Sequence, residues 1–341
     1  MDSHPIPFSL LSIVLCVHAS KLYRWYKHLL SDYKRQQARG ELHKHDLVLP
    51  GGETVGVPIL EPKHLGQQMA VDEKHIDGEF YTVLTNKTTG KIAMLAQTVR
   101  HQHLADILQP YLHSRYEVNV LTRDLANTYD WLGRTCFPNA VQVADKFHII
   151  RQALDQLQAH RLGYRQERLL KRRQAWKQHK LEAKGQPFRY NEPRLENGET
   201  HLELLARGRY VLYKFPNQWS QSQKERAQVL FRHYPSIKTA YRLICSFRRW
   251  YRKEFVGDPR PTITNRLQTW YAKVDQADIM EITAFKALVE RHQGVIINYF
   301  EQGHTNALAE ATNKKINTFI RNNQGVKDKD FFFFRIKNYF T

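Results

Sequence analysis

Three acidic residues stand in settings that suit a metal-dependent reaction. Asp72 ends the apolar run Met69-Ala70-Val71-Asp72, and Asp124 follows the alternating run Val118-Asn119-Val120-Leu121-Thr122. Glu310 lies in Asn306-Ala307-Leu308-Ala309-Glu310-Ala311-Thr312-Asn313, a segment with a polar helical face. Two carboxylates at strand positions and a third on a distant helix can offer oxygen ligands to a pair of hard divalent cations. Such a pair drives in-line phosphoryl transfer on nucleic acid. Crowded carboxylates repel one another, which favours cation uptake. The donor set points to Mg2+, with Mn2+ as the alternative; histidine ligands would favour a softer metal, and none clusters with the acids at obvious spacing.

The helix around Glu310 carries further support. At 100° per residue, Asn306, Glu310, Asn313 and Asn317 share one face. Leu308, Ala309, Ile316, Phe319 and Ile320 form a separate apolar stripe that should dock on a sheet. Lys314 and Arg321 flank the polar face and can meet a phosphate strand. Asp145 competes with Glu310 for the third position, but Glu310 is preferred because its amide-lined face can orient a metal carboxylate. Asp145 is read as a supporting residue that caps the following helix. His148 is read as a packing or orienting group and not as a ligand.

The elements that must position these groups follow from periodicity. Strands are predicted over 69–73, 80–85, 91–97, 118–122 and 141–145, with turns at Asp77-Gly78 and 87–90. Helices are predicted over 101–113 and around Tyr129, Trp131 and Leu132. Three hairpin-type strands followed by strands alternating with helices give a mixed α/β sheet. Setting the 118–122 strand parallel to the 69–73 strand would bring Asp72 and Asp124 together. Beyond 146 the pattern turns helical. Ser220 and Gln223 form a capping box, Pro235 breaks the helix it opens, and Ile237, Tyr241, Ile244, Phe247 and Tyr251 make a core stripe in the next. The tetrad Phe331-Phe332-Phe333-Phe334 is expected to pack under the sheet.

The chain has 341 residues, 42% of them hydrophobic, so it can bury a sizeable core. Lys plus Arg is 52 and Asp plus Glu is 33, a formal charge of +19, and the pI is near 9.8. A polyanion is the expected partner. Residues 146–190 hold twelve Lys or Arg against three acids, with Lys171, Arg172 and Arg173 at the centre and Tyr164, Trp176 and Tyr190 interleaved. That mixture suits DNA contact, although charge runs are often only solvated helix faces. Residues 7–30 read as two short helices, the second with a stripe of Leu22, Trp25 and Leu29 and with Lys21, Arg24 and Lys27 pointing outward. They resemble a helix-turn-helix remnant lacking a third helix. Residues 1–35 are therefore taken as a helical region and 36–67 as a linker rich in Gly and Pro. The three isolated cysteines indicate neither a zinc site nor a disulfide framework. The apolar stretch near the amino terminus has no basic leader and is too short to span a bilayer, so a cytoplasmic, nucleoid-associated protein is expected.

Taken in order, these motifs resemble a known family. Met69-Ala70-Val71-Asp72-Glu73 with 81–87, Arg123-Asp124-Leu125-Ala126-Asn127 with 136–148, Leu204 to Tyr210 with 222–226, and Thr305 to Asn313 with Phe331 to Arg335 are similar to DDE-type insertion-sequence transposases. The resemblance implies a ribonuclease-H-like core over 68–341, interrupted by an all-helical insertion at about 153–298. It implies Asp72, Asp124 and Glu310 as an acidic triad holding Mg2+, double-stranded DNA at the element's ends and at the target as substrate, and a homo-oligomer on DNA. It further implies strand cleavage followed by strand transfer. The alternatives are a ribonuclease-H-like nuclease without strand transfer and a catalytically silent DNA-binding derivative. Ala311 stands where similar sequences often have Gly or Ser, and no zinc-binding cysteine set precedes the core.

Overall fold

The computed structural model describes residues 6–40, 46–182, 187, 192–303, 307–322 and 328–340, apart from the side chains of 112, 307–310, 313 and 322. The chain divides into two compact units, Met1–Asp145 with His304–Thr341, and Lys146–Gly303.

The first unit opens with α1 (Phe8–Leu15), α2 (Ala19–Trp25), a π-helical turn (Tyr26–Leu30) and α3 (Tyr33–Ala38). A third helix is thus present. The hairpin β1 (Asp46–Val48) and β2 (Thr54–Gly56) follows, and then β3 (Ile59–Leu60). These strands lie in the stretch read as linker. Their apolar residues are too few between Gly and Pro to show a period, yet Leu49, Val55 and Val57 are buried in the core. Next come β4 (Gln68–Ile76), β5 (Glu79–Asn86), β6 (Ile92–Ala96), α4 (His101–Leu108), α5 (Leu112–Tyr116), β7 (Val120–Arg123), α6 (Asn127–Cys136) and β8 (Val141–Ala144). The single helix predicted over 101–113 is divided by a 3-10 turn at Gln109–Tyr111. Pro110 lacks the N–H and crowds the preceding turn.

The second unit is all-helical among its described residues: α7 (Lys146–Glu182), α8 (His201–Leu212), α9 (Gln221–His233), α10 (Pro235–Trp250), α11 (Arg260–Ala277), α12 (Met280–Arg291) and α13 (Gln293–Gln302). The capping box forms as read: Ser220 Oγ accepts from Gln223 N at 3.3 Å and Ser220 N donates to Gln223 Oε1 at 3.1 Å. Pro235 opens α10 at its first turn, where its missing N–H is harmless, and the five-residue stripe from Ile237 to Tyr251 is buried. The chain then returns to the first unit as α14 (Ala307–Asn322) and α15 (Lys329–Phe340).

The six-stranded sheet has the order β3-β6-β5-β4-β7-β8. The pairs among β3, β6, β5 and β4 are antiparallel, while β4–β7 and β7–β8 are parallel. One face buries Met69, Val71, Leu84 and Leu121 against α4 and α6. The other buries Ile76, Tyr81 and Val83 against Ile316 and Phe319 of α14 and Phe332, Phe333 and Ile336 of α15. This is the expected class, a ribonuclease-H-like mixed α/β sheet flanked by helices, with a large helical unit entering between β8 and α14.

The phenylalanine tetrad serves two cores. Phe332 and Phe333 seal the sheet, while Phe331 and Phe334 pack with Phe8, Leu22, Tyr26 and Tyr33 of the amino-terminal helices. Each buried ring stabilises by roughly 2–3 kcal/mol. The stripe expected on the second helix is corrected here: Trp25 is 37% and Leu29 74% exposed, and Tyr26 takes the buried position. The wider π-turn from Tyr26 onward rotates Leu29 away from the core.

Candidate active site

β4 and β7 are parallel, with Gln68 paired to Val120, Met69 to Leu121 and Ala70 to Thr122. The register offset, 120 − 68 = 52, equals the separation of the two acids, 124 − 72 = 52. Continued for two residues, it sets Asp124, the first residue beyond β7, level with Asp72. β7 and β8 are offset by 144 − 123 = 21, which sets Asp145 level with Asp124 in turn. The backbone agrees, since Asp145 N donates to Arg123 O at 2.7 Å. The backbone positions of the three aspartates are therefore level along β4, β7 and β8, with neighbouring strand axes about 4.8 Å apart.

Side-chain alternation fixes the face. Asp72 is paired with Val83, which packs under α14 and α15, so Asp72 shares their side of the sheet. Asp72 Oδ1 accepts from Glu73 N at 2.8 Å, and Oδ2 meets Lys74 Nζ at 3.1 Å. Asp124 Oδ1 accepts from Ala126 N at 2.9 Å, a local turn that Asp favours. Each carboxylate thus has one oxygen fixed by a backbone N–H. The ammonium of Lys74 occupies a position that a metal cation would contest.

Two positioning residues escaped the sequence reading. Arg123, 1% exposed, precedes Asp124 and faces α6. It donates to Asp124 O at 2.8 Å, to Gln142 Oε1 and to Asp130 Oδ1. These bonds tie the end of β7 to β8 and α6, and so fix where Asp124 emerges. Gly133 of α6 is needed for this: a Cβ there would lie 2.6 Å from the Gln142 amide. Lys87 follows β5 and is 7% exposed. Its Nζ donates to Thr122 Oγ1 at 2.7 Å, two residues before Asp124. Burial pushes its pKa down to about 8, against the opposing charge of Asp145. A charged Arg ending an apolar strand is a usable sequence signal. Lys87 gave none, because a lysine beside Asn86 in a turn reads as solvated. The phenol of Tyr129 is pushed up, first by burial and also by the charges of Asp124, Glu73 and Asp72 nearby.

The remaining predicted residues are less closely placed. α14 lies on the Asp72 face, and Thr312 Oγ1 donates to Gly90 O at 2.9 Å in the β5–β6 turn. Glu310 belongs to α14, but its side chain and that of Asn313 lie outside the described residues, as does Asn306 altogether. Lys314 and Arg321 are exposed on α14. Lys21 and Arg24 are exposed, whereas Lys27 pairs with Asp328. Lys171, Arg172 and Arg173 are exposed on α7, which buries no residue beyond Arg161. His148 lies on the first turn of α7, in the second unit. Among the described residues no group of three or more His, Cys, Asp or Glu is placed to hold a metal ion, and no helix is long and apolar enough to cross a membrane.

The family profile DDE_Tnp_ISL3, described as Transposase, matches residues 69–336. The chain belongs to this transposase family. The span begins at Met69 in β4 and ends in α15, so within this family member it takes in both aspartate-bearing strands, the helical unit and α14. The chain is also similar to the transposase for insertion sequence element IS1557 from two Mycobacterium tuberculosis strains, CDC 1551 / Oshkosh and ATCC 25618 / H37Rv. Each is 25% identical over 212 residues, which is 59% of this chain and 44% of the relative. The match spans less than half the length of those curated relatives.

Proposed function

We propose that the chain is a DNA transposase that cleaves and joins strands at the ends of its own mobile element. Family membership supports the class, and the level placement of Asp72 and Asp124 carries the mechanism. Asp72 within β4 and Asp124 just past the end of the parallel β7, each with one oxygen anchored on backbone, suit a hard divalent cation in their donor chemistry. Asp72 and Asp124 would hold Mg2+ or Mn2+, with Glu310 from α14 as the third ligand and Asn306 and Asn313 orienting it. A bound metal pair supplies charge stabilisation for the attacking and leaving oxygens of an in-line displacement. Arg123 and Lys87 keep the strand ends in register. Lys314, Arg321, Lys171, Arg172 and Arg173 offer charge to DNA phosphates.

In this reading 68–341 is the catalytic domain, the helical segment 153–298 is an insertion within it, and the protein acts in the cytoplasm as an oligomer on double-stranded DNA. The deciding experiment supplies end DNA, intact or pre-cleaved, with Mg2+. Cleavage of the intact ends and strand transfer from the pre-cleaved ends are both expected. Cleavage without transfer would reduce the protein to a nuclease. Binding without either would leave a silent DNA-binding derivative. Asp72→Asn, Asp124→Asn and Glu310→Gln should each abolish cleavage while DNA binding persists, and any variant that cleaves near-normally removes its residue from the triad.

A further inference from the structure

The second unit carries a surface recess whose chemistry the strand-cleaving site does not use. It lies where the Pro216–Gln218 turn meets α9 and α10 and encloses about 520 Å3. An adjoining recess of about 650 Å3 shares Pro216, Trp219, Phe231 and Lys238 with it, so the two lie side by side along these residues. Both volumes fall within the roughly 300–1,000 Å3 typical of ligand sites.

One wall is aromatic. Trp219 and Phe231, both half-buried, flank the buried ring of Tyr241: Trp219 stacks on it with centroids 5.7 Å apart, and Phe231 lies 5.4 Å from it, so the rings open to the recess are those of Trp219 and Phe231. The wall is held rigid from behind: Trp219 Nε1 donates to Val211 O at 2.9 Å and Tyr241 Oη to Lys214 O at 2.8 Å. The rest of the lining is cationic. Lys238, Arg242 and Arg249 border the first recess, and Lys224 and Arg232 the second. Arg232 is paired with Glu196, but no carboxylate lines either recess, and none pairs with Lys224, Lys238 or Arg242 among the described residues. A fixed aromatic wall beside uncompensated cations is the arrangement that receives unpaired bases on the rings and phosphates on the charges.

We infer that these two recesses together bind a single-stranded DNA segment, a few nucleotides long, separately from the acidic strand ends. The inference rests on the reading of the chain as a DNA-processing protein and adds to it a site for unpaired DNA. Neither the amino-terminal helices nor the α7 cluster enters into it.

The test is fluorescence anisotropy of the full chain with a labelled oligothymidylate and with a blunt duplex of equal length. Lys238→Glu with Arg242→Glu should weaken oligothymidylate binding about tenfold or more. It should also flatten the slope of log K against log salt by about 1.4, at roughly 0.7 per phosphate for two phosphates. Duplex binding should change far less. Trp219→Leu should weaken oligothymidylate binding at least about fivefold without changing the slope, because a stacking ring carries no charge. The charge variants sit on exposed or half-buried helix positions, so they remain informative if Trp219→Leu fails to fold. A thymidine photocrosslinker in the oligonucleotide should label residues between 219 and 242.

Oligothymidylate affinity within twofold of the parent for Lys238→Glu with Arg242→Glu, or crosslinks confined to α7, would overturn the inference. Asp72→Asn should bind oligothymidylate like the parent. If end cleavage is never found while the charge variants still lose the single strand, the single-strand site stands and the transposase reading falls. If cleavage is found and the variants bind normally, only the single-strand site falls.

Discussion

Replacing Lys87 by Met removes a buried ammonium and keeps most of its apolar stem. Burial lowers the lysine from its ordinary 10.5 to about 8, a gap of roughly 3 kcal/mol against the charged form. The sign follows from proton counting. Below about pH 8 the folded and unfolded chains both hold the proton, so the penalty is fully present and stability does not vary with pH through this group. Between about 8 and 10.5 the unfolded chain holds a proton that the folded chain has released, so stability rises with pH. From about pH 7 to 9.5 this gain comes to about 2 kcal/mol.

The shift to about 8 already includes the attraction of Asp145, so the Met variant escapes a net penalty of roughly 3 kcal/mol at neutral pH. Thr122 loses a hydrogen-bond donor, which costs about 1 kcal/mol. Near pH 7 Lys87→Met should therefore be more stable than the parent by about 2 kcal/mol, as roughly 3 gained is set against about 1 lost. By about pH 9.5 that advantage should shrink by about 2 kcal/mol, because only the parent gains stability through this lysine. Urea unfolding of both proteins at the two pH values measures the difference, and the other titrating groups common to both cancel. A parent-minus-variant difference independent of pH would refute the argument.

Further outcomes follow from the same geometry. Asp145→Asn alone keeps an oxygen at that position and should retain measurable Mg2+-dependent cleavage; complete loss of cleavage with an unchanged melting temperature, beside an active Glu310→Gln, would transfer the third ligand to Asp145. Neutralising Lys171, Arg172 and Arg173 should flatten the salt slope of duplex binding by up to about 3 if all three touch phosphates, and an unchanged slope returns them to solvent. Gly133→Ala in α6 should fail to give the roughly 1 kcal/mol that an exposed helical Gly→Ala change yields, because the new methyl would strike Gln142; a rise in thermal stability would show that Gln142 moves aside without loss.

The sheet was legible because its strands alternate strongly and its turns carry Gly and Asp. The acid spacing of 52 became informative only once the β4–β7 register matched it, since a spacing does not say which strands are neighbours. The stripe of α10 was readable because Ile237, Tyr241, Ile244 and Phe247 repeat at helical intervals over a 16-residue helix and Tyr251 at its C-cap continues them. Short elements were not. β3 is two residues long, too short for any period, and pairs with β6 only because tertiary packing holds it. Lys87 and Arg123 were hidden for a different reason. Charged residues are assumed to face water, and only the three-dimensional surroundings reveal that these two are enclosed and bonded.

The first unit is assembled from both ends of the chain. Residues 1–145 supply the sheet, while α14 and α15, which cover the Asp72 face and close the core of the amino-terminal helices, come after an intervening unit of 158 residues, 303 − 146 + 1. During synthesis at about 5–20 residues per second, the strands therefore wait many seconds with one face uncovered before Phe332 and Phe333 arrive. The second unit can fold during that interval. Under the proposed triad, a nascent or prematurely terminated chain ending before residue 304 holds both aspartates and no Glu310, and lacks the helices that seal the sheet. Under that triad an interrupted ribosome would release all six strands with one face bare and the third proposed ligand missing, so the complete site would exist only after translation has passed the last helices.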